Sequence, residues 1–158
     1  MGNSSGRGAF RGRHYLSIDA KGRVNVPASF REVLVNRFGE ARLMVATVFD
    51  PCLRAYPLEE WEKIEAMAAG LQSTDGAVKQ YFRHFISSAE ECVCDKQGRI
   101  LLPLSHREWA GINGGGQVVF LGYVNKIEIW DKSAYEARMK EADLGSVEEA
   151  ITQLGGQI

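Results

Sequence analysis

One segment of this 158-residue chain occurs twice. Residues 19–31 read DAKGRVNVPASFR and residues 95–107 read DKQGRILLPLSHR, with six identical positions at a constant spacing of 76 residues. The apolar runs that follow each copy are similar as well, after a small slip in register. Such self-similarity predicts two copies of one structural unit rather than two unrelated halves.

Each copy predicts a strand, a tight turn, a second strand and a short helix. Asp19 and Asp95 can bind the backbone of the turn, and Gly22 and Gly98 can adopt a positive φ there. The apolar alternation that follows suits a half-buried strand, and the proline after it suits the first turn of a helix. Because a unit of this size buries little apolar surface alone, we expect the two copies to share one core.

The repeat divides the chain into five parts and predicts an α+β, β-rich domain with pseudo-two-fold symmetry. The predicted parts are a flexible tail or tag (1–9), a first repeat (13–60), a helical linker (61–88), a second repeat (89–133) and a C-terminal helical tail (134–158).

Two apolar patterns predict further core positions. Residues 43–49 form a continuous apolar run, which predicts a buried strand. In the linker, a stripe at helical spacing predicts a core-facing side that consists of Ile64, Met67, Ala68 and Leu71.

The turn and its flanking strands resemble the SpoVT-AbrB type of swapped-hairpin DNA-binding unit. Two such units in one chain resemble the MraZ family of bacterial transcriptional regulators. The resemblance covers about residues 10–140 and rests on the paired D-x-x-G-R-x-x-x-P motif and on Phe10-Arg11-Gly12. Family members begin Met-Phe-Arg-Gly, so the nine residues before Phe10 are expected to be a tail or tag. The resemblance implies two tandem swapped-hairpin repeats that form a β-barrel unit, with no cofactor and no catalytic residue.

The resemblance also implies partners. Family members assemble as rings of several protomers and bind short direct repeats in double-stranded promoter DNA, their own promoter included, usually as repressors. It therefore implies a sequence-specific regulator of the division and cell-wall gene cluster, with promoter DNA and further copies of itself as partners. We expect it in the cytoplasm at the nucleoid, because residues 1–8 lack the apolar stretch of a signal peptide. Neither a membrane nor a small-molecule substrate is expected.

The charge distribution supports a nucleic-acid partner although the net charge is −1. Residues 1–31 hold six basic residues and one acid, whereas the rest of the chain holds 13 basic and 19 acidic residues. A basic segment on an acidic body is typical of localised phosphate binding. In the second copy, residues 90–107 are neutral overall and Gln97 stands where Lys21 stands. We therefore expect the first repeat to supply most DNA contacts.

The cations in and beside the two turns are the candidate DNA-binding residues: Arg11, Arg13, Lys21, Arg23, Lys96 and Arg99. An arginine at the start of a strand can bind guanine or a phosphate through its forked donors. For Arg23 the alternative is an ion pair with Asp19, and for Arg11 and Arg13 it is a solvated arm. Arg31, on the helix, is expected to have a structural role.

Two other functional classes are alternatives to DNA binding. A protein-interaction or assembly module, similar to the related barrels of antitoxins, would use this fold without direct DNA binding. An enzyme is disfavoured because the sequence lacks the nucleophile, P-loop and zinc motifs. The pair Cys92 and Cys94 predicts two small side chains on one strand face rather than a metal site.

Overall fold

The computed structural model describes residues 8–72 and 74–156. Its strands are β1 Arg13–Ser17, β2 Arg23–Asn25, β3 Arg42–Thr47, β4 Leu53–Tyr56, β5 Glu90–Val93, β6 Arg99–Leu101, β7 Gln117–Tyr123 and β8 Lys126–Asp131. Its helices are α1 Ala28–Phe38, α2 Leu58–Ala69, α3 Gly76–Ser87, α4 Leu104–Ala110, α5 Lys132–Lys140 and α6 Leu144–Gln153.

The two repeats exchange strands. An antiparallel six-stranded sheet has the order β1-β7-β8-β4-β3-β5, and β2 pairs with β6 in a separate two-stranded ribbon. The first strand of each repeat therefore pairs with the other repeat: β1 with β7, and β5 with β3. This confirms the predicted α+β fold with two tandem, swapped repeats.

A pseudo-two-fold axis relates the repeats, and it passes through two cross-strand pairs. Val24 lies opposite Ile100 in the ribbon, and the two are the same position of the repeat at the 76-residue spacing. Arg54 lies opposite Glu128 in the sheet, at a spacing of 74 residues. The change of spacing is the register slip predicted from the sequence, and it falls between the ribbon and β4.

The core lies on both faces of the sheet. Between the sheet and the ribbon lies the larger hydrophobic cluster, in which Phe30, Leu34 and Phe120 are among the fully buried side chains. The opposite face carries a second, more aromatic cluster, where Trp61 of α2 and Phe85 of α3 pack. The four inner strands, β3, β4, β7 and β8, supply both clusters because their successive side chains point to opposite faces.

Each short helix after a ribbon strand lies between a proline and a glycine. Pro27 precedes α1 and Pro103 precedes α4, and neither loses a hydrogen bond because a helix start leaves its first N–H groups unpaired. Gly39 ends α1 at φ 84°, and Gly111 ends α4 at φ 65°. Both glycines adopt the left-handed conformation that closes a helix without a Cβ clash.

Several expectations about boundaries and burial were wrong. The apolar run at residues 43–49 leaves the sheet after Thr47, and Phe49 is 56% exposed. No residue of the stripe predicted on α2 is fully buried: Ile64 and Ala68 are half-buried, Met67 is 54% exposed and Leu71 lies beyond the helix. The linker consists of two helices, α2 and α3, and the break between them lets α3 turn back onto the sheet.

Of the predicted tail, residues 1–7 lie outside the described residues, whereas Gly8 is buried and its carbonyl accepts a hydrogen bond from Arg37 at 2.7 Å.

Candidate nucleic-acid interface

The turn before β2 is built around the carboxylate of Asp19. Its Oδ1 accepts hydrogen bonds from the backbone N–H groups of Lys21 (2.9 Å) and Arg23 (2.8 Å). Its Oδ2 accepts one from Arg23 Nε at 2.7 Å. Gly22 takes φ 92° and donates its N–H to the carbonyl of Asp19, which closes the turn. The carboxylate thereby fixes the start of the strand and the direction of the arginine together.

The turn before β6 repeats this geometry. Asp95 accepts hydrogen bonds from the backbone of Gln97 and Arg99 and from Arg99 Nε, each at 2.9 Å. The backbone hydrogen bond from Arg23 is the largest cause that lowers the pKa of Asp19, to about 2. The corresponding bond from Arg99 lowers the pKa of Asp95. Each aspartate therefore holds its turn with the same set of hydrogen bonds.

Each turn is covered by an arginine from the other repeat. Arg107 donates from Nε to the carbonyl of Leu102 at 3.0 Å, and its guanidinium lies over Gly22, where a Cβ would be 2.6 Å from Nε. Arg31 likewise bonds the carbonyl of Val26 at 3.1 Å and lies over Gly98. This crossing was not predicted from the sequence. The one feature of the sequence that indicated it is that both repeated segments end in an arginine, Arg31 in the first and Arg107 in the second.

The ribbon presents one face to the core and one to the outside. Val24 and Ile100 are buried, whereas the residues on either side of them point away from the core. The register places Arg23 opposite Leu101 and Asn25 opposite Arg99, so these four side chains share the outer face. These four side chains and the two turns that precede β2 and β6 together form the ribbon face. The exposed Lys21 and Lys96 flank it, one in each turn.

Arg23 forms the ion pair with Asp19 that was the alternative to DNA contact. The pair uses only Nε, and the side chain stays 37% exposed. The two terminal nitrogens carry the remaining N–H donors, which are the ones that bind guanine or phosphate. Arg99 has the same arrangement and is 29% exposed. The ion pair thus directs the guanidinium without using the donors a nucleic acid would take.

Arg11 and Arg13, two of the predicted DNA-binding residues, do not lie on the ribbon face. Arg11 is exposed and lines a cavity of about 530 Å³ beside α1, together with Phe30 and Arg37. Arg13 lies on the other face of the sheet, where its Nη1 donates to the hydroxyl of Tyr135 at 3.3 Å. That hydrogen bond raises the pKa of Arg13. The alternation along β1 explains the placement, because the neighbouring His14 packs against Phe30 on the ribbon side.

The two turns are more alike in charge than the sequence comparison indicated. Lys96 stands where the first repeat has Ala20, and Gln97 stands where it has Lys21. Each turn therefore carries two cations and one paired carboxylate. The excess positive charge of the first repeat lies outside its turn.

No cluster of side chains in the described part of the chain is arranged to hold a metal ion. Cys92, on β5, is buried, and Cys94, one residue past the end of that strand, is half-buried. Both contact the same core cluster. Burial raises the pKa of the Cys52 and Cys92 thiols to about 12. Among residues 8–72 and 74–156, none of the helices combines the length and the apolar character that a bilayer span requires.

Comparison with known proteins places these features in one family. A sequence model of the family described as "MraZ protein, putative antitoxin-like" matches residues 9–81 and 85–155. The chain is 44% identical over 135 residues to the transcriptional regulator MraZ of Syntrophobacter fumaroxidans, which covers 85% of this chain and 87% of that protein. It is 40% identical over 147 residues to the Pseudomonas aeruginosa protein of the same name, which covers 93% of both chains.

Proposed function

This chain belongs to the MraZ family, and from this premise we propose that it is a sequence-specific DNA-binding transcriptional regulator that binds DNA through the ribbon face. The relatives are named transcriptional regulators, and this non-enzymatic role confirms the prediction that the chain is not an enzyme. The finer proposal is a repressor of the division and cell-wall gene cluster, its own promoter included. It acts in the cytoplasm at the nucleoid.

The observation that carries the proposal is the outer face of the ribbon. A two-stranded antiparallel ribbon fits the major groove of B-DNA, where each base pair has its own pattern of donors and acceptors. Arg23 and Arg99 stand diagonally across it, each held by its aspartate. Lys21 and Lys96, one in each turn, stand where phosphate contacts would position the ribbon.

Oligomerisation completes the proposal. Two guanidinium groups and two lysines per chain supply few contacts, so one protomer alone would bind a short site weakly. We propose a homo-oligomeric ring whose protomers bind tandem direct repeats, because linked weak contacts add up as avidity when the spacing fits. Light scattering at micromolar concentration should give a mass of several protomers, and a monomer would contradict this part of the proposal.

DNA titration tests the proposal directly. Labelled DNA from upstream of the protein's own gene is titrated at two salt concentrations, and fluorescence anisotropy gives the dissociation constant. Affinity should fall with salt, by a slope of about 0.9 for each phosphate neutralised. Arg23→Ala should weaken binding by about 10-fold or more, and Lys21→Ala should reduce the salt slope by about 1.

One further variant serves as a control, and another compares the two repeats. Lys79→Ala removes an exposed cation from α3, on the face of the sheet opposite the ribbon, and should leave affinity unchanged. Arg99→Ala should cost less than Arg23→Ala, because Arg99 is 29% exposed and Arg23 is 37% exposed, so Arg99 offers less of its guanidinium to a ligand. Equal losses would contradict the preference for the first repeat. No binding by the wild type at low salt would contradict the proposed function and favour a protein-interaction module.

A further inference from the structure

The pseudo-two-fold axis has a consequence for how the ribbon face meets a DNA duplex. It passes between Val24 and Ile100, so the outward residues on the two strands are related in pairs: Arg23 with Arg99, and Asn25 with Leu101. A ribbon with identical side chains at both pairs would present the same surface after a half-turn. Such a surface would read a palindromic site, as two-fold symmetric proteins do.

The symmetry is kept at one pair and broken at the other. Both strands begin with an arginine bonded to its aspartate in the same geometry. At the second pair the first repeat has Asn25 and the second has Leu101, and both side chains are exposed. Leu101 is 56% exposed, so packing in the core does not account for an apolar residue at this position.

The two residues differ in what they can recognise on a base pair. The carboxamide of Asn25 can donate from Nδ2 to adenine N7 and accept at Oδ1 from adenine N6, a bidentate contact. Leu101 has no hydrogen-bonding group and can contact the C5 methyl group of thymine. In the register of the ribbon, Asn25 lies opposite Arg99 and Leu101 opposite Arg23. The arginines are therefore each accompanied by a different neighbour.

We propose that Asn25 and Leu101 are specificity-determining residues, with Asn25 reading an adenine and Leu101 a thymine methyl group. This inference rests on the proposed function of the ribbon face. The ribbon then has a direction along the duplex, because its two halves select different bases. One protomer reads a non-palindromic site, and several protomers of one ring read such sites in a common orientation.

In vitro selection on a duplex with one randomised window of about one helical turn tests the inference. The wild type should select a non-palindromic site. Leu101→Asn gives both strands the pattern Arg-x-Asn and should convert the selected site toward a palindrome. Asn25→Ala should lose about 10-fold discrimination for adenine at one position and keep the rest of the site. Val93→Asn, a change at an exposed apolar residue of β5, is the matched control and should select the wild-type site.

A thymine-to-deoxyuridine exchange in the selected site removes single methyl groups. At one position it should weaken wild-type binding about threefold and leave the affinity of Leu101→Ala unchanged. If Leu101→Asn selects the wild-type site, or if each exchange affects both proteins equally, the inference is overturned. A palindromic wild-type site overturns it as well, although the proposed function stands. If the wild type binds no DNA at low salt, the proposed function itself has failed and the inference falls with it.

Discussion

The guanidinium of Arg107 lies over Gly22, in a turn that belongs to the other repeat. Arg31 has the same relation to Gly98, so each repeat closes the turn of its partner. Each arginine is held by a backbone carbonyl five residues before it, just beyond the end of its own ribbon strand. Each turn of the ribbon face is therefore closed by its own aspartate and covered by a side chain of the other repeat.

A methyl group at Gly22 tests this contact. Gly22→Ala has to adopt φ 92° and also displace Arg107, whereas Gly39→Ala has to adopt φ 84° with open space around its Cβ. We expect Gly39→Ala to lower the free energy of unfolding by about 1–2 kcal/mol, and Gly22→Ala by at least about 1 kcal/mol more. Urea denaturation measures both. In an Arg107→Ala background the extra cost should vanish, and its persistence would contradict the steric account.

The aspartate of each turn predicts a pH dependence of stability. The pKa of Asp19 is lowered to about 2 from an ordinary value of 3.8, so the native state favours the ionised carboxylate. Its contribution is complete above the unfolded pKa, near 4, and is lost as the pH falls through about 2. Thermal denaturation of the wild type and Asp19→Asn from pH 6 to pH 2 should show a stability difference that shrinks below about pH 4. A constant difference down to pH 2 would contradict the hydrogen-bond account.

Two neighbouring residues on α1 should differ in how much their truncation to alanine lowers the stability of the protein. Leu34 is fully buried in the cluster between sheet and ribbon, and Val35 is 51% exposed. Leu34→Ala should lower the free energy of unfolding by about 2–5 kcal/mol, because it removes buried apolar surface and leaves a cavity. Val35→Ala should stay within about 0.5 kcal/mol. Chemical denaturation measures both changes, and similar losses would show that α1 packs differently.

The three thiols should differ in reactivity. Burial raises the pKa of Cys52 and Cys92 to about 12, so almost no thiolate forms at pH 8. Cys94 is only half-buried, although burial raises the pKa of its thiol too. Labelling of the native protein with iodoacetamide, followed by mass spectrometry, should modify Cys94 first. Cys52 and Cys92 should react only after denaturation, and early labelling of Cys92 would mean that β5 opens from the sheet.

Much of the candidate site could be predicted because its chemistry is local. The turn of Asp19 and Gly22 follows from residue types within a few positions, and so does the ion pair between Asp19 and Arg23. The proline and glycine that bound α1 are also local signals. Arg13 could not be placed, because a strand residue points to one face or the other according to which neighbour the strand pairs with. The prediction that Phe49 is buried in a strand was wrong for a related reason, because an apolar run does not show where its strand leaves the sheet.

The repeated motif by itself determined that two equivalent units exist and that each has a turn held by an aspartate. The resemblance to swapped-hairpin units also indicated that the repeats exchange strands. Only the tertiary structure decided which strands pair across the repeats, that Arg31 and Arg107 cross to the opposite turn, and that Asn25 and Leu101 share one outward face. Turn and cap hydrogen bonds join residues close in sequence, so residue types specify them. Partners 76 residues apart meet only through the pairing of strands, and that pairing depends on how both repeats bury their apolar faces together.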